Sequence, residues 1–338
     1  MTETDRLIDL KTWLATLPGF ANCSLEPASA DASFRRYFRV WKNEGVQKNG
    51  QTYIVMDAPP DKENSQPFIN IANAFRDIGL NTPEILQQDL AQGFLLLSDL
   101  GQQVYLSALN DDSVEHLYAN AMGALATLQS SGQAAGLPEY DHDLLMSEMA
   151  LFPDWLLTQH CQIQLTDAQC ESLHVAFELL AKNALQQPQV CVHRDYHSRN
   201  LMVYPSHNPG ILDFQDAVVG AFTYDLVSLL RDCYIAWPQE KVIDWALGYR
   251  ALADESGIIP AGDISEQQFL RWFDLMGVQR HLKAAGIFAR LKHRDRKDGY
   301  LKDIPRTLNY VIEVSRRYPE LAELGELAST VRIGQLAV

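Results

Sequence analysis

Basic residues are scarce in this 338-residue sequence: 28 Lys and Arg face 43 Asp and Glu, for a formal charge of −15. Such a surface repels nucleic acid and anionic membranes, so neither is expected as a partner. Paired cysteines are missing as well. The five, at positions 23, 161, 170, 191 and 233, are scattered, odd in number and without a C-x-x-C pair, which reads as reduced, mostly buried thiols. No run approaches the roughly twenty apolar residues that span a bilayer. The start, Met1-Thr-Glu-Thr-Asp-Arg6, is acidic rather than basic, so no signal peptide is expected and the protein is read as cytoplasmic. Repeats, low-complexity tracts and heptads do not stand out.

What is present is globular. Hydrophobic residues at 47% and aromatics at 9% supply enough apolar mass for two lobes with a cleft between them. Leu7, Leu10, Leu14 and Leu17 recur at helical spacing until Pro18-Gly19 stops them. Residues 34–41 and 53–56 are rich in aromatic and β-branched side chains and read as strands, joined by a polar loop. Phe68, Ile71, Ala72 and Phe75 mark a helix; Ile85-Leu86 and residues 93–97 give two more strands, the second ending in a turn at Asp99 to Gly101. From about residue 113 the pattern turns helical, over 114–129, 143–158, 167–186, 225–236, 240–254, 266–291 and 305–318. The expected fold class is α+β, with a small antiparallel-sheet lobe over residues 1–101 and a mostly helical lobe over 102–338.

One stretch carries chemistry: His193-Arg-Asp195-Tyr-His197-Ser-Arg-Asn200, then apolar Leu201-Met-Val203, a turn-rich segment, and Ile211-Leu-Asp213-Phe-Gln-Asp216. In kinase-like enzymes a catalytic-loop Asp orients and deprotonates the acceptor hydroxyl, an Asn five residues later binds metal, and an Asp opening the next segment binds metal on the nucleotide phosphates. Those places fall to Asp195, Asn200 and Asp213. Hard oxygen ligands of this kind suit Mg²⁺, which keeps several waters and takes few protein ligands. A lone Asp or Asn in a loop is usually a turn former or cap, but three in this order reverse that balance. A metal hydrolase built on the alternating His193, Asp195 and His197 competes, yet it gives Asn200 and Asp213 no role. The two histidines are better read as supports of the loop.

Adenine is expected to meet the backbone where the strand at 93–97 breaks off at Ser98, Asp99 and Leu100. Gly45-Val-Gln-Lys-Asn-Gly50-Gln51-Thr52 nearly matches a P-loop, but Gln51 replaces its lysine and a strand follows it, so it is read as a hairpin loop. The better phosphate loop runs from Ser29 to Ser33 into Arg35 and Arg36, of which strand alternation allows only one to face the nucleotide. Protein kinases carry a lysine on the third strand, whereas Ile54-Val-Met-Asp57 puts Met or Asp there. Either an arginine of that pair or Lys62 substitutes, or backbone and metal hold the phosphates.

These residues together resemble the aminoglycoside phosphotransferase family of kinase-fold small-molecule kinases. The resemblance implies a bilobal protein-kinase-like fold, with ATP and Mg²⁺ as cofactors, Asp195 as catalytic base, Asn200 and Asp213 as metal ligands, and Asp225 as an acid bracing the loop. Asp31-Ala-Ser-Phe-Arg-Arg-Tyr-Phe-Arg39, Tyr53-Ile-Val-Met-Asp-Ala-Pro-Pro60, Asp213-Phe-Gln-Asp-Ala217 and Tyr224-Asp-Leu-Val-Ser-Leu-Leu-Arg-Asp-Cys-Tyr234 are similar to the N-acetylmuramate/N-acetylglucosamine anomeric kinases of peptidoglycan recycling. That likeness implies phosphorylation of the C1 hydroxyl of an amino sugar.

The acceptor is expected between the helices over 143–158 and 272–285, with Glu148, Trp155, Arg280, His281 and Lys283 as candidates to read its hydroxyls or a lactyl carboxylate. The expected partner is therefore a small-molecule sugar, with the protein a monomer or homodimer. Two alternatives stay open: another kinase of this fold, for an aminoglycoside, choline-like amine or homoserine-like alcohol, and an inert kinase-like binding protein.

Overall fold

The computed structural model describes residues 3–30, 34–42, 51–132, 136–260 and 262–331. It divides into two compact units, Met1–Gln103 with Met202–Gln215, and Val104–Leu201 with Asp216–Val338.

In the first unit, helix α1 (Glu3–Thr16) precedes strands β1 (Ser24–Ala30), β2 (Arg36–Trp41) and β3 (Thr52–Asp57), then helix α2 (Gln66–Asp77) and strands β4 (Ile85–Asp89) and β5 (Phe94–Ser98). The strands form one antiparallel sheet in the order β1-β2-β3-β5-β4. Alternation along the pleat sends Val40, Tyr53, Val55, Phe94 and Leu96 into a single buried cluster with Leu10, Trp13 and Leu14 of α1. The leucine stripe of α1 thus packs on one face of the sheet.

Strand β1 was not expected, since Pro27 and the small residues around it carry little strand signal. It sits at the sheet edge, where proline is tolerated, and its register shifts between Pro27 and Ser29. Two residues of the supposed phosphate loop, Ser29 and Ala30, belong instead to this strand and pair with Tyr37 and Arg36. Ser33 lies outside the described residues, as does the loop over 43–50. The chain re-enters this unit at Met202, where Leu201–Met202 pairs with Gly210–Ile211. There the Ile211 amide donates to the Asn81 carbonyl at 2.8 Å, and the buried Phe214 ring packs on Phe68 and Phe75 of α2 at 4.9 and 6.0 Å.

The second unit holds helices α3 (Tyr105–Ala108), α4 (Val114–Ser131), α5 (His142–Leu151) and α6 (Asp167–Leu185) and the antiparallel pair β6 (Gln189–Val192) and β7 (Val218–Ala221). Helices α7 (Thr223–Leu230), α8 (Gln239–Glu255), α9 (Glu266–Asp295), α10 (Ile304–Ser315) and α11 (Ala322–Ser329) complete it. Helix α9 is the hub, burying residues around much of its circumference, among them Phe269, Phe273, Met276, Leu282 and Phe288. A Cβ at Gly286 would stand 2.4 Å from the carbonyl carbon of Leu151, so glycine is what lets α9 lie against the end of α5. At that point the helix expected over 143–158 changes form, continuing as a π-helix over Phe152–His160. Pro153 has no N–H to donate, which removes one α-helical hydrogen bond there. The helix expected over 225–236 ends at Leu230, after which Arg231 leaves helical geometry.

Among the described residues no helix is long and apolar enough to cross a membrane. Burial pushes the thiol of Cys191 up to about 12 and that of Cys161 to about 11, so both are protonated at neutral pH.

Helix α9 also carries a buried charge. Asp274 accepts hydrogen bonds from Arg231 at 2.6 Å, from Arg317 at 3.1 Å and from the Tyr318 hydroxyl at 2.8 Å. Replacing it leaves Arg231, almost fully enclosed, without its counter-charge. Asp274→Ala should therefore lower the free energy of unfolding in urea by about 3–5 kcal/mol; a loss below about 1 kcal/mol would show the pair to be incidental.

Candidate active site

The loop after β6 is held by two buried carboxylates. Asp225, on the first turn of α7, accepts the backbone N–H of His193 at 2.6 Å and that of Arg194 at 3.0 Å. Asp232 accepts the Ser198 amide at 2.9 Å, the Ser198 hydroxyl and, through its other oxygen, the Tyr234 amide at 2.8 Å. Arg194 adopts φ 76°, a left-handed conformation that costs a non-glycine residue about 1–2 kcal/mol, and the Asp225 hydrogen bonds offset it. Inside the loop, the Nδ1 atom of His193 accepts the Asp195 amide at 3.2 Å, and the Nδ2 of Asn200 donates to the Asp195 carbonyl at 3.0 Å. That second bond fixes the amide plane that also carries the Asn200 oxygen. The Tyr196 hydroxyl ties the loop to α4 through the Ala121 carbonyl at 2.8 Å.

Among the described residues, the Asp195 carboxylate has no hydrogen bond or ion pair of its own, in contrast to its neighbours. Burial raises its pKa, but Lys283 and Arg280 supply opposing positive charge and the net effect is to hold it below the usual carboxylate range. The nearby His197 contributes little charge at neutral pH, because burial depresses its own pKa. Lys283 donates to the Tyr224 hydroxyl at 3.1 Å and pairs with Glu148 at 3.2 Å; Glu148 is also bound by Arg194 and by the Tyr140 hydroxyl. Arg280 is 5% exposed, donates from Nη1 to the Cys233 sulfur at 3.6 Å, and leaves its Nε without a partner.

The expected acceptor residues therefore separate. Glu148, Arg280 and Lys283 gather around Asp195 or the charges that act on it. His281 does not: its ring is wholly buried, bonded to the Arg231 carbonyl at 2.8 Å and stacked on Tyr310 at 4.7 Å. Burial lowers its pKa to about 3, so it is a neutral packing residue. Trp155 lies half-buried in the π-helix. The hydrolase alternative also loses its geometry, since among the described residues no three His, Cys, Asp or Glu side chains are grouped to hold a metal. His193 is fully buried and His197 lies edge-on to Tyr234.

In the first unit, Asp213 takes φ 61°, again left-handed, and its Oδ1 accepts from Gln215 at 2.8 Å. Asp99, at the end of β5, is bound in a fork by Arg39 at 2.5 and 3.0 Å and by the Gly101 amide at 2.9 Å. Its side chain is thus committed to the turn, which leaves backbone as what this segment can offer an adenine. Ser98 is likewise used, its hydroxyl accepting the Glu84 amide at 2.8 Å, and Leu100 is buried. Arg35 pairs with Glu63 at 3.1 Å, and Arg36 pairs with Asp57 at 2.5 Å.

Sequence reasoning assigned no role to Asp232, Arg194, Tyr140 or Arg39. A signal existed for Asp232, which follows the apolar Leu226 to Leu230 run where a charge must find partners. Tyr140 and Arg39 gave none, because only the tertiary fold brings them to Glu148 and Asp99.

A model of the phosphotransferase enzyme family matches residues 24–258. A Pseudomonas putida protein named N-acetylmuramate/N-acetylglucosamine kinase is 47% identical over 314 residues, covering 93% of this chain and 90% of its own. A Pseudomonas aeruginosa protein of the same name is 46% identical over 345 residues and 99% of both chains. Among solved structures, an ADP-bound aminoglycoside phosphotransferase superposes with a TM-score of 0.57 at 16% identity, over 91% of this chain and 98% of its own, and shares the protein-kinase-like fold. On its sequence and its architecture alike, the chain belongs to the phosphotransferase enzyme family.

Proposed function

We propose that this chain is an ATP-dependent kinase that phosphorylates the anomeric hydroxyl of N-acetylmuramate and N-acetylglucosamine, with Asp195 as its base. The observation that carries the reading is the unpartnered Asp195 carboxylate, kept ionised by buried Lys283 and Arg280 on a loop fixed by Asp225 and Asp232. A base of depressed pKa is poor for an ordinary alcohol. An anomeric hydroxyl is more acidic, so Asp195 can orient it and accept its proton as the bond to phosphorus forms. The names borne by the relatives agree with such an acceptor.

The same cations bear on specificity. A multiply charged aminoglycoside would meet Arg280, Lys283 and Arg194 as like charges, whereas the lactyl carboxylate of muramate matches them. Arg280 is the better reader of that carboxylate, because Lys283 is already engaged by Glu148 while the Arg280 Nε is not engaged.

Asp213 and Asn200 are the hard oxygen donors that would hold Mg²⁺. Asn200 offers an amide oxygen on a fixed side chain and Asp213 a carboxylate, donors of the kind that Mg²⁺ takes beside several waters. When bound, the ion would screen charge on the phosphate oxygens. Adenine is assigned to the backbone at Ser98 to Leu100, and the enzyme is placed in the cytoplasm, acting in cell-wall amino-sugar recycling.

Three outcomes test this reading. With Mg²⁺-ATP, ADP release should depend on N-acetylmuramate or N-acetylglucosamine and not on kanamycin or choline, and Asp195→Asn should lower kcat by about 10²–10⁴-fold. Equal turnover with and without sugar would remove the assignment.

Arg280→Gln should lower kcat/KM for N-acetylmuramate about tenfold more than for N-acetylglucosamine. Equal losses for both sugars would mean that Arg280 serves Asp195 alone.

The third concerns Asp225, whose pKa burial raises to about 7 against the opposing pull of the His193 and Arg194 amides. A carboxyl that is easier to protonate in the folded state contributes stability that is fully present below its unfolded pKa, near 4, and lost as pH rises through about 7. Urea unfolding of wild type and Asp225→Asn at pH 5 and pH 8 should therefore show a wild-type advantage that shrinks at pH 8. An advantage that grows with pH would contradict it.

A further inference from the structure

Glu148 of α5 is 8% exposed, and one of its oxygens, Oε1, serves two cations at once. One is the Nη2 of Arg194, the residue immediately before Asp195. The other is the Lys283 ammonium of α9, at 3.2 Å. The second oxygen, Oε2, accepts the Tyr140 hydroxyl, which itself accepts Nε2 of the fully buried Gln279 at 3.2 Å. Lys283 also donates to the Tyr224 hydroxyl at 3.1 Å, and its ammonium lies 5.9 and 5.6 Å from the Tyr140 and Tyr224 rings. The Arg194 guanidinium lies 5.5 Å over the same Tyr140 ring. Two cations, one carboxylate and two phenols thus hold one another beside Asp195, whose own carboxylate has no bond among the described residues. We propose that Glu148 is a positioning residue for Asp195: it holds Arg194 and Lys283 off the base, so that both act through their fields and neither covers its oxygens. The assignment rests on the kinase reading above.

The sequence suggested Glu148 as a reader of sugar hydroxyls, but its lone pairs are spoken for. A carboxylate has about four acceptor sites, and Arg194, Lys283 and Tyr140 fill three of them. Tyr140 remains a donor because burial raises its pKa well above the ordinary phenol range. That bond fixes Oε2 and turns Oε1 towards both cations. Without the charge of Glu148, two largely enclosed cations would lack an anion, which is costly until they find another. Asp225 and Asp232 are already engaged by backbone amides. Asp195 is not. It is the next residue to Arg194, and Lys283 is foremost among the cations that hold its pKa down against burial. A direct ion pair there would fill the lone pairs with which a base meets a hydroxyl.

The test uses Glu148→Gln, which keeps the shape of the side chain and removes its charge. With Mg²⁺-ATP and N-acetylglucosamine, kcat should fall about tenfold or more while KM for the sugar stays within about threefold. Taking away one released cation should return part of the rate: Glu148→Gln/Lys283→Met should turn over about threefold faster than Glu148→Gln. A merely structural Glu148 predicts the reverse order, since a second buried change then adds to the first. Tyr140→Phe, which keeps the charge and only loosens the carboxylate, carries the same comparison if Glu148→Gln does not fold: adding Lys283→Met to it should again raise kcat. A crystal structure of Glu148→Gln gives a readout independent of turnover, with the Lys283 ammonium or the Arg194 guanidinium within about 3.2 Å of the Asp195 carboxylate. Cations that keep their places in that structure, or a double variant slower than its parent, would overturn the assignment. A wild-type protein without sugar-dependent turnover would instead remove the kinase reading, and this inference with it.

Discussion

The carboxylate of Asp225 accepts two consecutive backbone N–H groups, those of His193 and Arg194, and the geometry of the candidate active-site loop follows from it. A loop that turns through a left-handed arginine is strained, and strain persists only where other contacts over-determine it. Asp225 fixes the entry to the loop and Asp232 its middle, while Tyr196 pins it to α4. With the backbone held from three sides, the side chain of Asp195 needs no hydrogen bond to keep its place. A carboxylate that spends no lone pair on protein contacts can take the role of base proposed for it. The burial that raises the pKa of Asp225 is thus the cost of placing a carboxylate behind the loop rather than in it.

The first unit solves a related problem with the opposite sign. Protein kinases put a lysine on β3 and hold it with an acid; here the acid is on the strand and the cations come to it from α1 and β2. Burying one carboxylate between two guanidiniums satisfies it fully. It also explains why α1 must pack on the sheet: Arg6 rides on the same helix whose Leu10, Trp13 and Leu14 enter the core. Asp99 and Arg39 repeat the device at the end of β5, where the pair lowers the Asp99 pKa against the burial that raises it.

Much of this was legible in the sequence, for reasons that can be named. The stripes of α2 and α10 are strongly periodic, and period survives tertiary context; α1 showed in its spaced leucines, and the long helices α4, α6, α8 and α9 in extended runs free of strand and turn signals. The spacing of Asp195, Asn200 and Asp213, on which their proposed roles rest, was legible because a loop, a strand and a turn impose it. Strand β1 was not, since its residues become a strand only by pairing with β2. The division of Arg35 from Arg36 was not either, because their partners Glu63 and Asp57 lie far along the chain, where no local pattern reaches. His281 was misread because a charged-looking face of α9 is in fact buried, so that polarity there reports neighbours such as Tyr310 and Arg231 rather than solvent.

The distribution of charge around Asp195 has its own logic. Were Lys283 to pair directly with Asp195, it would occupy the carboxylate oxygens that the proposed base offers a substrate hydroxyl. Glu148 prevents that by holding the Lys283 ammonium at 3.2 Å, together with the Tyr224 hydroxyl at 3.1 Å, so that Lys283 acts on Asp195 through its field. Glu148 in turn is balanced by Arg194 and Tyr140, and Gln279 donates to the Tyr140 hydroxyl at 3.2 Å. Lys283, Arg194 and Glu148 are thus paired among themselves rather than with Asp195. A field of fixed cations lowers the pKa of a base without occupying its oxygens, and in a buried site that is the arrangement that leaves a carboxylate both ionised and accessible.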